Sequence, residues 1–263
     1  MAKKDIYSKY GINYRGGKIE APEFGFITPL LIDGNAKLGK GIWTWSTLPG
    51  TADYTINVGT TTAAKEITVK GTCLCDCPGC YAKTGFFRMG STLKSLAIKT
   101  YLARNHPDFV KRAILAQIEA DEVRLSRIHA AGDFFSDEYI SLWHDIATAC
   151  KDTAFWTYTK NSKAEHAFDD LPNINIVASC IPGIGFNFGH CDYILRVYAA
   201  LKAAGYDPYI CRCGIDKNQH CNNCTGCREK KFVLFLEHST AYKAEEDPLF
   251  AEVVRLTEET ARF

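Results

Sequence analysis

Excess charge of one sign, a long apolar run and a disulfide-scaffold density of cysteine are all missing from this 263-residue chain. Thirty-one Lys and Arg stand against 30 Asp and Glu, a formal charge of +1, so the whole chain offers no electrostatic reason to wrap a long polyanion. No apolar stretch approaches the roughly 18 residues a spanning helix needs, which excludes a transmembrane helix. The basic opening MAKKDIYSKYGINYRGGK leads into no apolar segment of the signal-peptide kind. The expectation is a cytoplasmic protein with no membrane partner and no oxidative staples.

What is present is ordinary globular material, 46% hydrophobic and 23% charged. A chain this long buries about 70–75% of its extended surface and builds a core without metal or disulfide help. Its 12 cysteines therefore need another explanation, and nine of them crowd into two short stretches. Without a secretion signal, metal or cluster ligation is the stronger reading of such crowding.

The pattern of elements places these stretches. The first 65 residues read as a strand-rich extension, with GIWTWS and DYTINVG as strands and Trp43 and Trp45 as core residues. From Glu66 the chain alternates. EITVKG, the run near 125–131, AFWTYTK, INIVAS, YDPYICRC and KFVLFLEHS read as six strands, and most crossovers between them carry helical patterns. Ser91 reads as a cap and Pro107 as the first residue of a helix. The prediction is an α/β fold, a parallel sheet or partial (βα)6 barrel over 66–240, with a cysteine-rich insertion (211–227) after the fifth strand and a C-terminal helix in 241–263. Cys73, Gly132 with Asp133, Lys160, Ser179 with Cys180, Cys211 with Cys213, and His238 then all follow strand ends, the rim where parallel α/β sheets carry their sites.

GTCLCDCPGCYAKTG holds Cys73, Cys75, Cys77 and Cys80, with three residues between Cys73 and Cys77 and two between Cys77 and Cys80. A short loop of that spacing fits three thiolates around one 4Fe-4S cluster and leaves one iron open; four thiolates including Cys75 fit tetrahedral zinc instead. In RIHAAGDFFS, Gly132 permits close backbone approach and Asp133 offers a carboxylate to an ammonium group. The same pair also suits a simple turn. His129 is either an inward-facing site residue or core filling, and Lys160 and His238 are candidate substrate or cofactor contacts.

The spacing of Cys73, Cys77 and Cys80 resembles the radical S-adenosylmethionine enzymes, over about Glu66 to His238. That resemblance implies an open-iron 4Fe-4S cluster that binds the amino and carboxylate groups of S-adenosyl-L-methionine. It further implies an external electron donor and reductive cleavage to a 5′-deoxyadenosyl radical that acts on a substrate. The resemblance does not identify that substrate, and a macromolecule is open as one. It makes Ala131, Gly132 and Asp133 similar to the segment that holds the methionyl amine, and Ser179 a ribose contact. The chain departs from the pattern at Gly79, where many members have an aromatic residue, and at the additional Cys75. The CPGCYA segment looks like a phage-associated branch distantly related to these enzymes.

ICRCGIDKNQHCNNCTGCREKK holds five more thiols. Cys221, Cys224 and Cys227 form C-x2-C-x2-C, which with Cys213 or, alternatively, Cys211 closes a second 4Fe-4S site. Zinc held by Cys211, Cys213, Cys221 and Cys224 is the other reading. Arg212, Lys217, Arg228, Lys230 and Lys231 surround the loop, so a zinc-braced nucleic-acid-binding or interaction module is the alternative function from another class. Oligomeric state and substrate have no sequence signal.

Overall fold

The computed structural model describes residues 1–34, 38–58, 65–75, 77, 80, 82, 85–181, 183–216, 219–237 and 243–260. His238 and Lys217 lie outside the described residues. The largest sheet has five strands, in spatial order Ile174–Ala178, Ala154–Thr159, Leu125–Arg127, Ile42–Thr44 and Ile32–Asp33. The first four run parallel, and Ile32–Asp33 closes the edge antiparallel. A smaller parallel sheet sets Val233–Leu236 between Phe188–Gly189 and Tyr209–Ile210. The Ala178 N–H donates to the Lys231 carbonyl at 3.2 Å and bridges the two sheets.

Parallel neighbours require crossovers, and helices supply several of them. Gly90–Asn105 and Pro107–Ala120 precede the strand Leu125–Arg127, Asp137–Ala149 leads into Ala154–Thr159, and Cys191–Ala203 precedes Tyr209–Ile210. Pro107 opens its helix as expected, and Phe109, Val110, Ala113, Ile114 and Ile118 form its buried stripe. Ser136 caps the helix Asp137–Ala149 by accepting the Tyr139 N–H at 3.2 Å, with Asp137 and Glu138 in the first turn complementing the helix dipole. Ser91 is not a cap. Its helix already starts at Gly90 behind extended Met89, so Ser91 has helical backbone and cannot reach back to the orphan amides.

The first parallel strand also differs from expectation. The EITVKG run pairs with Asp53–Val58 as an antiparallel hairpin over Lys65–Lys70, and Ile42–Thr44 takes the place in the parallel sheet. The burial pattern explains the exchange. Ile67 and Val69 face Ile56, Val58 and Ala97 while their sequence neighbours face solvent, the one-sided alternation of an antiparallel ribbon. The run from Ile42 is buried nearly throughout and continues into fully buried Trp45.

Trp45 anchors the main core. Its Nε1–H donates to the Tyr139 hydroxyl at 2.7 Å, and its ring meets Trp143 edge-on at 5.9 Å between centroids. Buried Gln117 ties the N-terminal segment to this core, accepting from the Leu31 N–H and donating to the Leu31 carbonyl, both at 2.8 Å. No helix among the described residues is long and apolar enough to cross a membrane.

Candidate functional site

Backbone hydrogen bonds stitch several chain segments into one rim. Beyond the strand Ile42–Thr44, the Thr47 N–H donates to the Ala131 carbonyl at 3.0 Å, the Thr72 N–H to Leu48 at 2.9 Å and the Cys73 N–H to Gly50 at 3.0 Å. Gly132 sits at the junction with φ +86°, and a Cβ there would stand 1.9 Å from Thr47 Oγ1 and 2.6 Å from Thr72 Oγ1. The two hydroxyls lie 3.0 Å apart; Thr72 also donates to the Leu48 carbonyl at 2.9 Å and accepts the Asp133 N–H at 3.1 Å. Thr47 and Thr72 had no sequence signal beyond their adjacency to a strand end and to Cys73.

Asp133 is buried beneath this junction. Its Oδ1 accepts from Thr159 Oγ1 at 2.6 Å and the Phe134 N–H at 2.8 Å, and its Oδ2 accepts the Lys160 N–H at 2.9 Å. These bonds lock the ends of the strands Leu125–Arg127 and Ala154–Thr159 together and leave acceptor capacity chiefly on Oδ2. Burial raises the Asp133 carboxyl above the ordinary aspartate range despite those donors. Burial pulls the Lys160 ammonium down, and the neighbouring Cys77, Asp133 and Cys73 outweigh that and raise it.

The thiols of the first loop are neighbours around this pair. Burial pushes Cys73 up to about 11, opposed by the Gly50 N–H that donates to its sulfur at 3.2 Å, while Asp133, Cys80 and Cys77 push the same way as burial. Cys75 is exposed and its sulfur lies 3.8 Å from that of Cys77. Cys73, Cys77, Asp133 and Lys160 are thus brought together. Cys73, Cys77 and Cys80 are the thiols of this loop that could hold a metal or cluster, which would displace their protons.

Ser179 is buried just beyond its strand, where its N–H donates to the Thr159 carbonyl at 2.8 Å. His129 is enclosed: its ring nitrogens lie 3.2 Å from Thr157 Oγ1 and 2.9 Å from the Tyr139 hydroxyl, and Phe134 meets the ring edge-on. Burial, with Arg127 adding, drives the imidazole down to about 3, which keeps it neutral.

The second loop gathers its five thiols over the strands Ala154–Thr159, Ile174–Ala178 and Val233–Leu236. The Cys213 and Cys221 sulfurs are 3.8 Å apart, and the neighbouring Cys211 is the first cause that pushes the Cys213 thiol up to about 12. Tyr158 donates to the Cys227 sulfur at 2.9 Å, and the Tyr209 hydroxyl lies 3.3 Å from that of Cys224. Neither tyrosine was legible as a sulfur partner. The flanking basic residues are partly committed inward: Arg228 donates to the Cys224 carbonyl at 2.9 Å and Lys230 pairs with Asp207. Arg228 Nε and His220 Nδ1 are buried without hydrogen-bond partners among the described residues. None of the 12 cysteines is in a disulfide among those residues, and no three His, Cys, Asp or Glu side chains there form a group arranged to hold a metal ion.

Residues 29–247 match the family described as Gene product 88. The chain belongs to that family. It is similar to the Gene 88 protein of Mycobacterium phage D29, with 31% identity over 106 residues that span 35% of this chain and 42% of that protein. The match thus covers less than half of the relative's length. No solved structure matches. The phage association expected from CPGCYA is supported, whereas the assignment to the radical S-adenosylmethionine superfamily is corrected by the family match. Three cysteines on one short loop are a general solution to holding a metal or cluster, and so carry little information about descent.

Proposed function

We propose that this protein is an iron-sulfur enzyme whose Cys73, Cys77 and Cys80 hold a 4Fe-4S cluster with one iron open to S-adenosyl-L-methionine. The reaction proposed is reductive cleavage of that molecule, with an electron from an external donor, to start radical chemistry on a further substrate. The observation that carries this reading is the buried Asp133 carboxylate, which accepts the Lys160 N–H at 2.9 Å and acts electrostatically on both the Lys160 ammonium and Cys73. A cation and an anion next to three thiols complement an amino-acid zwitterion.

Each residue then has a definite task. Lys160 receives the ligand's carboxylate, and the remaining acceptor position on Asp133 Oδ2 receives its ammonium. The Gly50 amide stabilises charge on the Cys73 sulfur, and Gly132 holds the loops close enough for these groups to meet. When bound, the cluster supplies the electron that breaks the sulfonium carbon–sulfur bond. Ser179, near the end of Thr159, is the candidate ribose contact.

The test is anaerobic reconstitution with iron and sulfide, followed by electron paramagnetic resonance of the reduced protein with and without S-adenosyl-L-methionine. The expected result is a ligand-induced change in the cluster signal that Cys73→Ala removes and Lys160→Ala weakens, with 5′-deoxyadenosine as product. A fully loaded first site whose signal ignores the ligand overturns the proposal.

A further inference from the structure

We propose that Cys75 is a thiol-exchange site: it takes glutathione from glutathione disulfide, and Cys77 resolves the adduct into a Cys75–Cys77 disulfide that withholds Cys77 from the first loop's metal site. The two sulfurs lie 3.8 Å apart, and among the described residues Cys77 is the one cysteine whose sulfur touches that of Cys75. A single residue separates them in the chain, which keeps their Cα atoms within about 7 Å of each other. Disulfides join cysteines whose Cα atoms stand about 4.4–6.8 Å apart. The tether therefore holds the pair near bonding range whatever the rest of the loop does.

Exposure selects this pair over the others, because thiol modification follows access. Cys75 is the exposed cysteine of the 12, the rest being buried or half-buried. Leu74 beside it is 57% exposed, so a peptide disulfide has an open approach to the sulfur. The Cys213 and Cys221 sulfurs are equally close at 3.8 Å, but Cys213 packs with Val177, Tyr209 and Val233, and Cys221 with Leu38, Ile42 and Trp156. Cys75 joins no such apolar cluster among the described residues. Cys73 is engaged elsewhere, its sulfur accepting the Gly50 N–H at 3.2 Å.

The exchange is a two-electron step in two displacements. The Cys75 thiolate attacks one sulfur of glutathione disulfide, forms a mixed disulfide and releases one glutathione. The Cys77 thiolate then attacks the Cys75 sulfur, which breaks the mixed disulfide and releases the second. Two protein thiols are oxidised to one disulfide, and their two protons and two electrons leave in two glutathione thiols. Cys75 is the thiol of the first loop that the proposed cluster leaves without a task. The withholding of Cys77 rests on that cluster reading; the disulfide itself does not.

The experiment treats full-length, metal-free, reduced protein with glutathione disulfide, blocks the remaining thiols with an alkylating agent and maps them by peptide mass spectrometry. The expected result is loss of alkylation at Cys75 and Cys77 together, with the two joined and Cys73 and Cys80 still alkylated. Cys77→Ser stops at a glutathione adduct on Cys75, and Cys75→Ser leaves Cys77 open to alkylation. A wild-type adduct on Cys75 that never closes, a bond from Cys75 to Cys73 or Cys80, oxidation of Cys213 and Cys221 ahead of Cys75, or protection of Cys77 that persists in Cys75→Ser overturns the assignment. The wild-type map decides even where circular dichroism shows that a variant has not folded. Failure of the cluster reading would appear separately, as an absence of Cys73-dependent iron, and would leave this map unchanged.

Discussion

Replacing Gly132 by alanine is the sharpest structural test of how the rim is built. The residue adopts φ +86°, and the added Cβ would meet Thr47 Oγ1 at 1.9 Å, Thr72 Oγ1 at 2.6 Å and Thr47 Cβ at 3.0 Å. The left-handed backbone costs about 1–2 kcal/mol for a residue with a Cβ, and forcing atoms into a packed site costs about 1–3 kcal/mol more. Thr47 and Thr72 are both buried and hydrogen-bonded, so neither hydroxyl retreats without loss. The sum, about 2–5 kcal/mol, lowers the melting temperature by about 4–20 °C in a chain of this size. Calorimetry and urea unfolding measure it, with Gly16→Ala as the control because Gly16 has φ +57° and nothing within 4 Å. The double variant with Thr47→Ala recovers part of the loss by removing the nearest atom, a coupling readable from a double-mutant cycle. The reasoning is refuted if Gly132→Ala costs no more than Gly16→Ala.

Three further outcomes follow from named contacts. His129 titrates near 6.5 when unfolded and near 3 in the core, so only the unfolded chain takes up its proton in that window; stability drops as pH is lowered through it, by up to about 1.4 kcal/mol per unit. His129→Gln removes that slope in pH-dependent urea unfolding, leaving Asp133, whose raised carboxyl acts in the opposite sense and loses its contribution as pH rises from 3.8. Gln117→Leu strands the buried Leu31 N–H and carbonyl and costs about 2–5 kcal/mol, with faster proteolysis before residue 40 as the second readout. Tyr158→Phe keeps the ring against Arg127 but removes the O–H donated to Cys227; a loss of about 0.5–1.5 kcal/mol in urea unfolding is expected, and unchanged stability contradicts a contribution from that bond.

The strands at 154–159, 174–178 and 233–236 were legible because they are apolar runs bounded by turn residues. The helix start at Pro107 was legible from local chemistry. The exchange between the 42–44 and 65–70 strands was not, because EITVK satisfies both a hairpin and a parallel edge until its partner is known, and the alternation of Ile67 and Val69 was the available clue. Asp133 and Lys160 could be placed on one rim from their positions after strands. That Asp133 spends most of its acceptors on Thr159, Phe134 and Lys160, and that Tyr158 and Tyr209 reach thiols about 70 and 15 residues away, depends on tertiary folding that no local spacing encodes.

The most direct test of the central claim is the magnetic spectrum of the anaerobically reconstituted, reduced protein before and after S-adenosyl-L-methionine is added. A four-iron signal that depends on Cys73, Cys77 and Cys80 and shifts on addition of the ligand is the predicted result. A first site that carries zinc in place of iron, or a four-iron signal indifferent to the ligand at saturating concentration, contradicts it.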